Sequence, residues 1–127
     1  MKNNIWILVL VLAGCHKEPD LSVQPGQLIG TWNSSSVLPS ASKKPFLRWT
    51  FEPDYLYTLE DTSKTCQSLN NNTYYRYWIE DGDILVMRYM GISVGPGPTV
   101  DTRRRIVSIT ASEVVLDAPR QILEKCL

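Results

Sequence analysis

The sequence predicts an all-β domain: a small antiparallel up-and-down barrel of about eight strands over residues 27–127, preceded by a signal segment and a flexible tether. Three observations predict it. Short runs alternate apolar and polar side chains, the period of a strand with one face buried. Clusters of Gly, Pro, Asp, Asn and Ser interrupt those runs at even spacing. No long stretch has the spacing of an amphipathic helix. Small antiparallel proteins remove exposed edges by closing, and eight strands leave room for packed side chains or one small ligand. There are no internal repeats.

The chain opens with Lys2 and an apolar run, Ile5–Leu12, followed by Ala13-Gly14-Cys15 and the polar stretch His16-Lys17-Glu18-Pro19-Asp20. The run is too short to span a bilayer as a helix, which takes about 20 residues. It reads as a secretion signal cut just before Cys15, so residues 1–14 are removed. An ordinary signal with an incidental cysteine, or an uncleaved anchor, are the alternatives. The small pair Ala13-Gly14 and the absence of a stop-transfer pattern favour cleavage. Leu12-Ala13-Gly14-Cys15 resembles the bacterial lipobox. That resemblance implies acylation of the Cys15 thiol and of the new amino terminus, and more than one acyl chain makes attachment durable. His16 is not the Asp that retains lipoproteins in the inner membrane of enteric bacteria. Lys17-Glu18 resembles the short export signal of surface lipoproteins in the Bacteroidetes. Both imply the cell envelope, and its outer membrane, as location. Residues 15–26, with two prolines and a glycine, read as the lipidated cysteine and a flexible tether.

Of 127 residues, 113 remain after the cut, one small domain's worth. The signal carries Lys2, so 12 Lys and Arg face 13 Asp and Glu. A net charge near −1 argues against a nucleic-acid partner and gives no polybasic reason to lie on an anionic membrane. Exported chains meet an oxidising environment, and with Cys15 acylated an even pair remains, Cys66 and Cys126. A bridge would contribute about 4 kcal/mol on the chain-entropy model. The alternative is two unpaired cysteines, one in a loop and one near the end.

Leu28–Trp32 is the first strand, with Gly30 allowing close backbone approach and Trp32 supplying a core aromatic. Phe46–Glu52 puts Leu47, Trp49 and Phe51 on one face, and Arg48 and Thr50 on the other. Glu52-Pro53-Asp54 turns, and Tyr55–Leu59 returns with Tyr55, Tyr57 and Leu59 together. Glu60–Asn72 is polar and reads as a loop carrying Cys66. Thr73–Ile79 is aromatic on both faces, Tyr75, Tyr77 and Ile79 against Tyr74, Arg76 and Trp78. Asp81-Gly82 is a favoured hairpin pair. Ile84–Met90 is a strand. Gly91–Pro98, too rich in Gly and Pro for a strand, is a candidate rim loop. Val100–Ile109, Glu113–Leu116 and Gln121–Cys126 complete the set.

Gly30-x-Trp32 at the first strand resembles the Gly-x-Trp motif of the lipocalins. Phe51-Glu52-Pro53-Asp54-Tyr55 and Ile106–Leu116 resemble recurring hairpins of bacterial lipocalin-like lipoproteins. The resemblance covers most of residues 28–126. It implies a barrel closed at one end by the tryptophan and able to take a small ligand.

Catalysis is poorly supplied, since the mature chain has one histidine, His16, on the tether. A Ser-His-Asp or Cys-His arrangement and a histidine metal site both fail for that reason. Glu80-Asp81-Gly82-Asp83 lacks the spaced ligands of a calcium loop. No cofactor is expected. Arg103-Arg104-Arg105 is the sharpest polar feature: 103 and 105 share a face, 104 takes the other, and at least one points inward. A buried guanidinium wants a carboxylate or phosphate partner. The expected function is a non-enzymatic, lipid-anchored carrier or binder of a small apolar or amphipathic molecule. Its tail would lie among Trp49, Tyr57, Tyr75 and Tyr77, with Arg103 or Arg105 holding a charged end. The plainer reading of the same residues is that these aromatics are simply the core and the arginines a solvated strand near the rim. The alternative is a protein-interaction or inhibitor module that inserts a loop such as Gly91–Pro98 into a partner. An open apolar void would favour the first, and a filled interior the second.

Overall fold

The computed structural model describes residues 21–35, 43–70, 73–90 and 100–127. The signal segment, Cys15, the tether up to residue 20 and the expected rim loop Gly91–Pro98 lie outside them. Eight strands follow in chain order: β1 Gly30–Ser35, β2 Phe46–Glu52, β3 Tyr55–Asp61, β4 Thr73–Glu80, β5 Ile84–Tyr89, β6 Asp101–Ile109, β7 Glu113–Asp117 and β8 Gln121–Lys125. Each pairs antiparallel with the next, and β8 returns to β1, so the sheet closes as an up-and-down barrel.

Turn chemistry sets the register. Glu52 pairs with Tyr55 across the two-residue turn Pro53-Asp54, where Asp54 takes φ 68°. Asp81 and Gly82, at φ 53° and 80°, carry the chain from β4 to β5. Between β6 and β7 the Thr110 hydroxyl accepts the Glu113 amide at 3.0 Å, a side-chain turn that spares a glycine.

Residues 21–28 close one end of the barrel, so packing begins earlier than the expected domain start at residue 27. Val23 and Leu28 are buried there, and the Val23 amide donates to the Gly82 carbonyl at 2.7 Å. A short 3₁₀ turn, Pro25–Gln27, carries the chain across the opening. Leu28 and Ile29 therefore belong to this plug, and the first strand starts at Gly30. Trp32 is fully buried behind it, its indole N–H donating to the Leu28 carbonyl at 2.8 Å. The Lys125 ammonium lies 4.5 Å from the Trp32 ring centre and donates to the Ile29 carbonyl. Gly30, at φ 130°, leaves room for that lysine: a Cβ would stand 2.5 Å from Nζ.

Above the plug the interior is filled by Trp49, Phe51, Leu56, Tyr77, Leu85 and Ile106, together with Val114, Leu116 and Leu123 from the last strands. Every one of these is nearly or wholly removed from solvent, the main source of stability in a small barrel.

One stretch of the outer wall is also covered. Residues 62–70 fold back over β1 and β2, burying Thr31, Asn33, Arg48 and Thr50. Arg48 holds this flap: its guanidinium donates to the Thr65 carbonyl at 3.0 Å, to the Gln67 carbonyl at 3.4 Å and to the Asp61 carboxylate at 2.7 Å. The Leu69 amide donates to Thr50 Oγ1, and Asn33 Nδ2 to the Thr65 carbonyl. Cys66 and Cys126 are joined in a disulfide, Cα–Cα 5.5 Å, which ties the flap to the end of β8.

Candidate functional site

The expected tail-binding residues divide between the two faces of the wall. Trp49, Tyr75 and Tyr77 come together on the inner side. Tyr57 does not: β3 turns Leu56 inward, and Tyr57 pairs with Tyr74 on the outer face. The reason is the two-residue turn, which sets Leu56 opposite the inward Phe51. Tyr55, Tyr57 and Tyr74 form an outer cluster with ring centres 6.2 and 6.1 Å apart along the chain of contacts. Tyr57's phenol is raised, first by partial burial and then by the Glu52 charge.

Inside, Trp49, Phe51 and Tyr77 stack edge to face, with centres 5.9 and 5.1 Å apart. Tyr77 donates its hydroxyl to the Glu52 carbonyl at 2.7 Å, and burial, aided by Asp54, pushes its pKa up to about 12. These rings are packed against one another as core. Tyr75 is half-buried, with its ring 5.6 Å from Tyr89. The Trp49 indole N–H is buried and has no acceptor among the described residues, an unanswered donor that costs stability.

The arginine triplet resolves by parity. Arg103 and Arg105 lie on the outer face and are exposed, ion-paired with Glu80 at 3.3 Å and Asp83 at 3.5 Å. The structure does not bring them to the aromatic interior. Arg104 is the one turned in, 8% exposed, opposite Leu85 on β5. Its guanidinium donates to the Gln121 side-chain carbonyl and to the Pro119 backbone carbonyl. Its Nε–H has no partner among the described residues. Among the described residues no carboxylate lies within ion-pair distance of it, and burial pulls its pKa down, with the more distant Asp117 opposing. Gln121, itself buried, passes the network on to Ser34 on β1, donating at 3.1 Å.

Beside this network lies an open cavity of about 500 Å³, walled by Ser34, Ser35 and Phe46 on one side and by Arg120, Gln121 and Ile122 on the other. A second cavity of about 420 Å³ lies between the flap, β1 and the chain end, near the disulfide. Among the described residues no group of three or more His, Cys, Asp or Glu is placed to hold a metal ion.

No family model, curated protein or solved structure matches this chain. The site must be read from its own chemistry. That chemistry is a buried cation with an unused donor, a polar bridge to the neighbouring strand, and a packed aromatic core beside it.

Proposed function

We propose that the chain is a lipid-anchored lipoprotein of the bacterial envelope, most simply of its outer membrane. Its lipocalin-like barrel binds a small amphipathic molecule with an acidic end and performs no catalysis. The observation that carries this reading is Arg104. A guanidinium taken out of water without a carboxylate partner is costly, and an anionic ligand offsets that cost by pairing with it. The Trp49 indole supplies a second unused donor, and Tyr75 with Tyr89 offers a half-open apolar surface for a tail. The anchor rests on Leu12-Ala13-Gly14-Cys15.

Two measurements test the two halves. Calorimetric titration of the mature protein with dodecanoate and with dodecanol compares the same tail with and without charge. Wild type should prefer the acid, and Arg104→Met should lose that preference by about tenfold or more, the worth of a charge-assisted bond. Equal binding of acid and alcohol by both proteins would sink the assignment. For the anchor, Cys15→Ser should move the protein from the membrane to the soluble fraction, and membrane retention would sink it.

Two observations favour a second reading, a protein-interaction module: the interior is filled by packed side chains, and the outer wall carries an aromatic cluster. Tyr55, Tyr57 and Tyr74 gather on the outer wall with Arg76 beside them, and exposed tyrosine with arginine is enriched at binding surfaces. A photo-cross-linker at position 74 in intact envelopes should then yield one discrete protein adduct, and a smear or nothing would exclude it.

A further inference from the structure

Seven of the eight seams in this barrel pair over at least four residues. The seam between β1 and β8 pairs only at Trp32↔Lys125 and Asn33↔Glu124. Above that point Ser34 and Ser35 continue along β1, and Ile122 and Leu123 continue along β8, yet they do not pair. The 500 Å³ cavity fills the wedge between them. Its lower limit is set by the Asn33↔Glu124 pair and by the ion pair of Lys64 with Glu124 at 2.7 Å.

What lies behind the wedge gives it chemistry. Gln121 lines the cavity, and among the described residues its amide links the parted strands, its nitrogen donating to Ser34 while its oxygen accepts from Arg104. Arg104 is thus one side chain away from the cavity. Arg120 stands exposed on the rim with no ion-pair partner among the described residues, whereas the two carboxylates that line the cavity, Glu113 and Glu124, lie opposite each other at its lower end, where Glu124 is paired with Lys64. Phe46 and Ile122, half-buried and exposed, supply apolar wall. The same barrel shows how one of its arginines takes a carboxylate: Arg88 donates Nε and Nη2 to the two oxygens of Asp101 at 2.8 and 3.0 Å. In Arg104 the Nε–H is the donor left over.

We propose that this lateral wedge, and not the rim of the barrel, is the entrance for the ligand's carboxylate, and that Gln121 is its gate. The proposal rests on the anionic-ligand reading of Arg104. The carboxylate of a single-chain amphiphile approaches Arg120, the Gln121 amide swings off Arg104 Nη1 and clears the way, and one carboxylate oxygen takes the Nε–H, a different donor of the same guanidinium that has no partner among the described residues. The second oxygen shares Nη2. The tail then lies over Phe46 and Ile122 along the outer side of the wall. No bond is made or broken beyond these hydrogen bonds.

Position 121 gives a test with opposite signs. Gln121→Glu supplies an internal carboxylate to Arg104, and should weaken dodecanoate binding about tenfold or more while leaving dodecanol binding unchanged. Gln121→Ala removes the gate, and should speed dodecanoate association about threefold or more without weakening affinity. The exposed Arg120→Glu, which leaves the core untouched, should slow dodecanoate association about threefold at low salt and not affect dodecanol. Stopped-flow fluorescence of the tryptophans reads the rates, and thermal melts confirm that each variant is folded. If Gln121→Ala and Arg120→Glu leave the association rate unchanged while Arg104→Met abolishes the acid preference, the entrance is elsewhere and the ligand reading survives. If wild type shows no acid preference at all, the ligand reading itself falls and takes the wedge with it.

Discussion

Replacing both Cys66 and Cys126 by serine should lower the melting temperature by about 20 °C without dislodging the flap that the disulfide ties down. The bridge joins residues 60 apart in sequence. On the chain-entropy model, removing a closure of that length gives the unfolded chain about 4 kcal/mol of additional conformational freedom. For a domain of roughly 100 residues each kcal/mol moves the midpoint by about 4–8 °C, hence a shift near 20 °C at the lower slope. The native flap has other attachments. Arg48 grips the Thr65 and Gln67 carbonyls and Asp61, Leu69 is buried, and its amide is bound to Thr50. The loss therefore falls on the unfolded state, and the flap stays in place. Thermal unfolding followed by circular dichroism gives the shift, and amide exchange at Leu69 reports the flap. A drop under about 5 °C would refute the entropic argument, given that slope. Free exchange at the Leu69 amide in the double-serine variant would refute the claim that Arg48 and the buried Leu69 hold the flap without the disulfide.

The reciprocal change, Arg48→Met, should cost about 3–5 kcal/mol, because it leaves Asp61 without its cation and two carbonyls without a donor. Urea unfolding measures it, and Leu69 exchange should rise here even with the disulfide intact. Acid should destabilise the fold. Asp61, Glu80 and Asp101 are all held below their ordinary range, by the Ser63 amide, the Trp78 indole N–H and the Arg88 guanidinium respectively as the largest cause. A carboxylate with a lowered folded pKa contributes above its unfolded value and loses that contribution as the pH falls through the folded one. The urea midpoint should therefore be level near neutrality and fall from about pH 4 downwards, and a level profile throughout would contradict these pairings. Alkali works in the other direction: Tyr77, raised to about 12, favours the folded state below the ordinary tyrosine pKa and ceases to do so as the pH rises through 12. Tyrosinate absorbance should show a last step near pH 12 that is missing in Tyr77→Phe. Gly30→Ala should cost about 2 kcal/mol, since φ 130° strains any side chain and the new Cβ displaces Lys125 from its place over Trp32. Chemical denaturation measures that cost.

The strand pattern, the turns and the closure of the barrel were legible because each is local. Pro53-Asp54 and Asp81-Gly82 set hairpins on their own, and alternation marks a strand wherever one face meets a core. Which face meets the core is a one-residue question, and there the reading divided. For Tyr57 the signal was present and unused: a two-residue turn after Glu52 places Phe51 opposite Leu56, which sends Tyr57 outward. For the arginines the signal was weaker. Ile106 shares parity with Arg104 and argues for it, but the register shift between Ile106 and Ser108 restores an inward-leaning Ile109 of opposite parity. The strand thus carries apolar residues at both parities, because a bulge moves the pattern by one.

The flap and the wedge were not legible, for a different physical reason. Arg48 is an outward, polar residue on an ordinary alternating strand, and nothing near it in sequence says that residues 62–70 will fold back and bury it. Its burial is decided by contacts that exist only once Cys126 has been brought to Cys66 by five further strands of chain. The wedge likewise depends on where the first and last strands stop pairing, a property of closure and not of either strand. Long-range partners of this kind leave their trace in sequence only as apparent misfits: a lone arginine among aromatic residues in β2, and an amide, Gln121, on the inward parity of β8. In this chain both misfits lie where the wall is either doubled or parted. That is the argument for looking first at Arg104 and Gln121 when the ligand is sought.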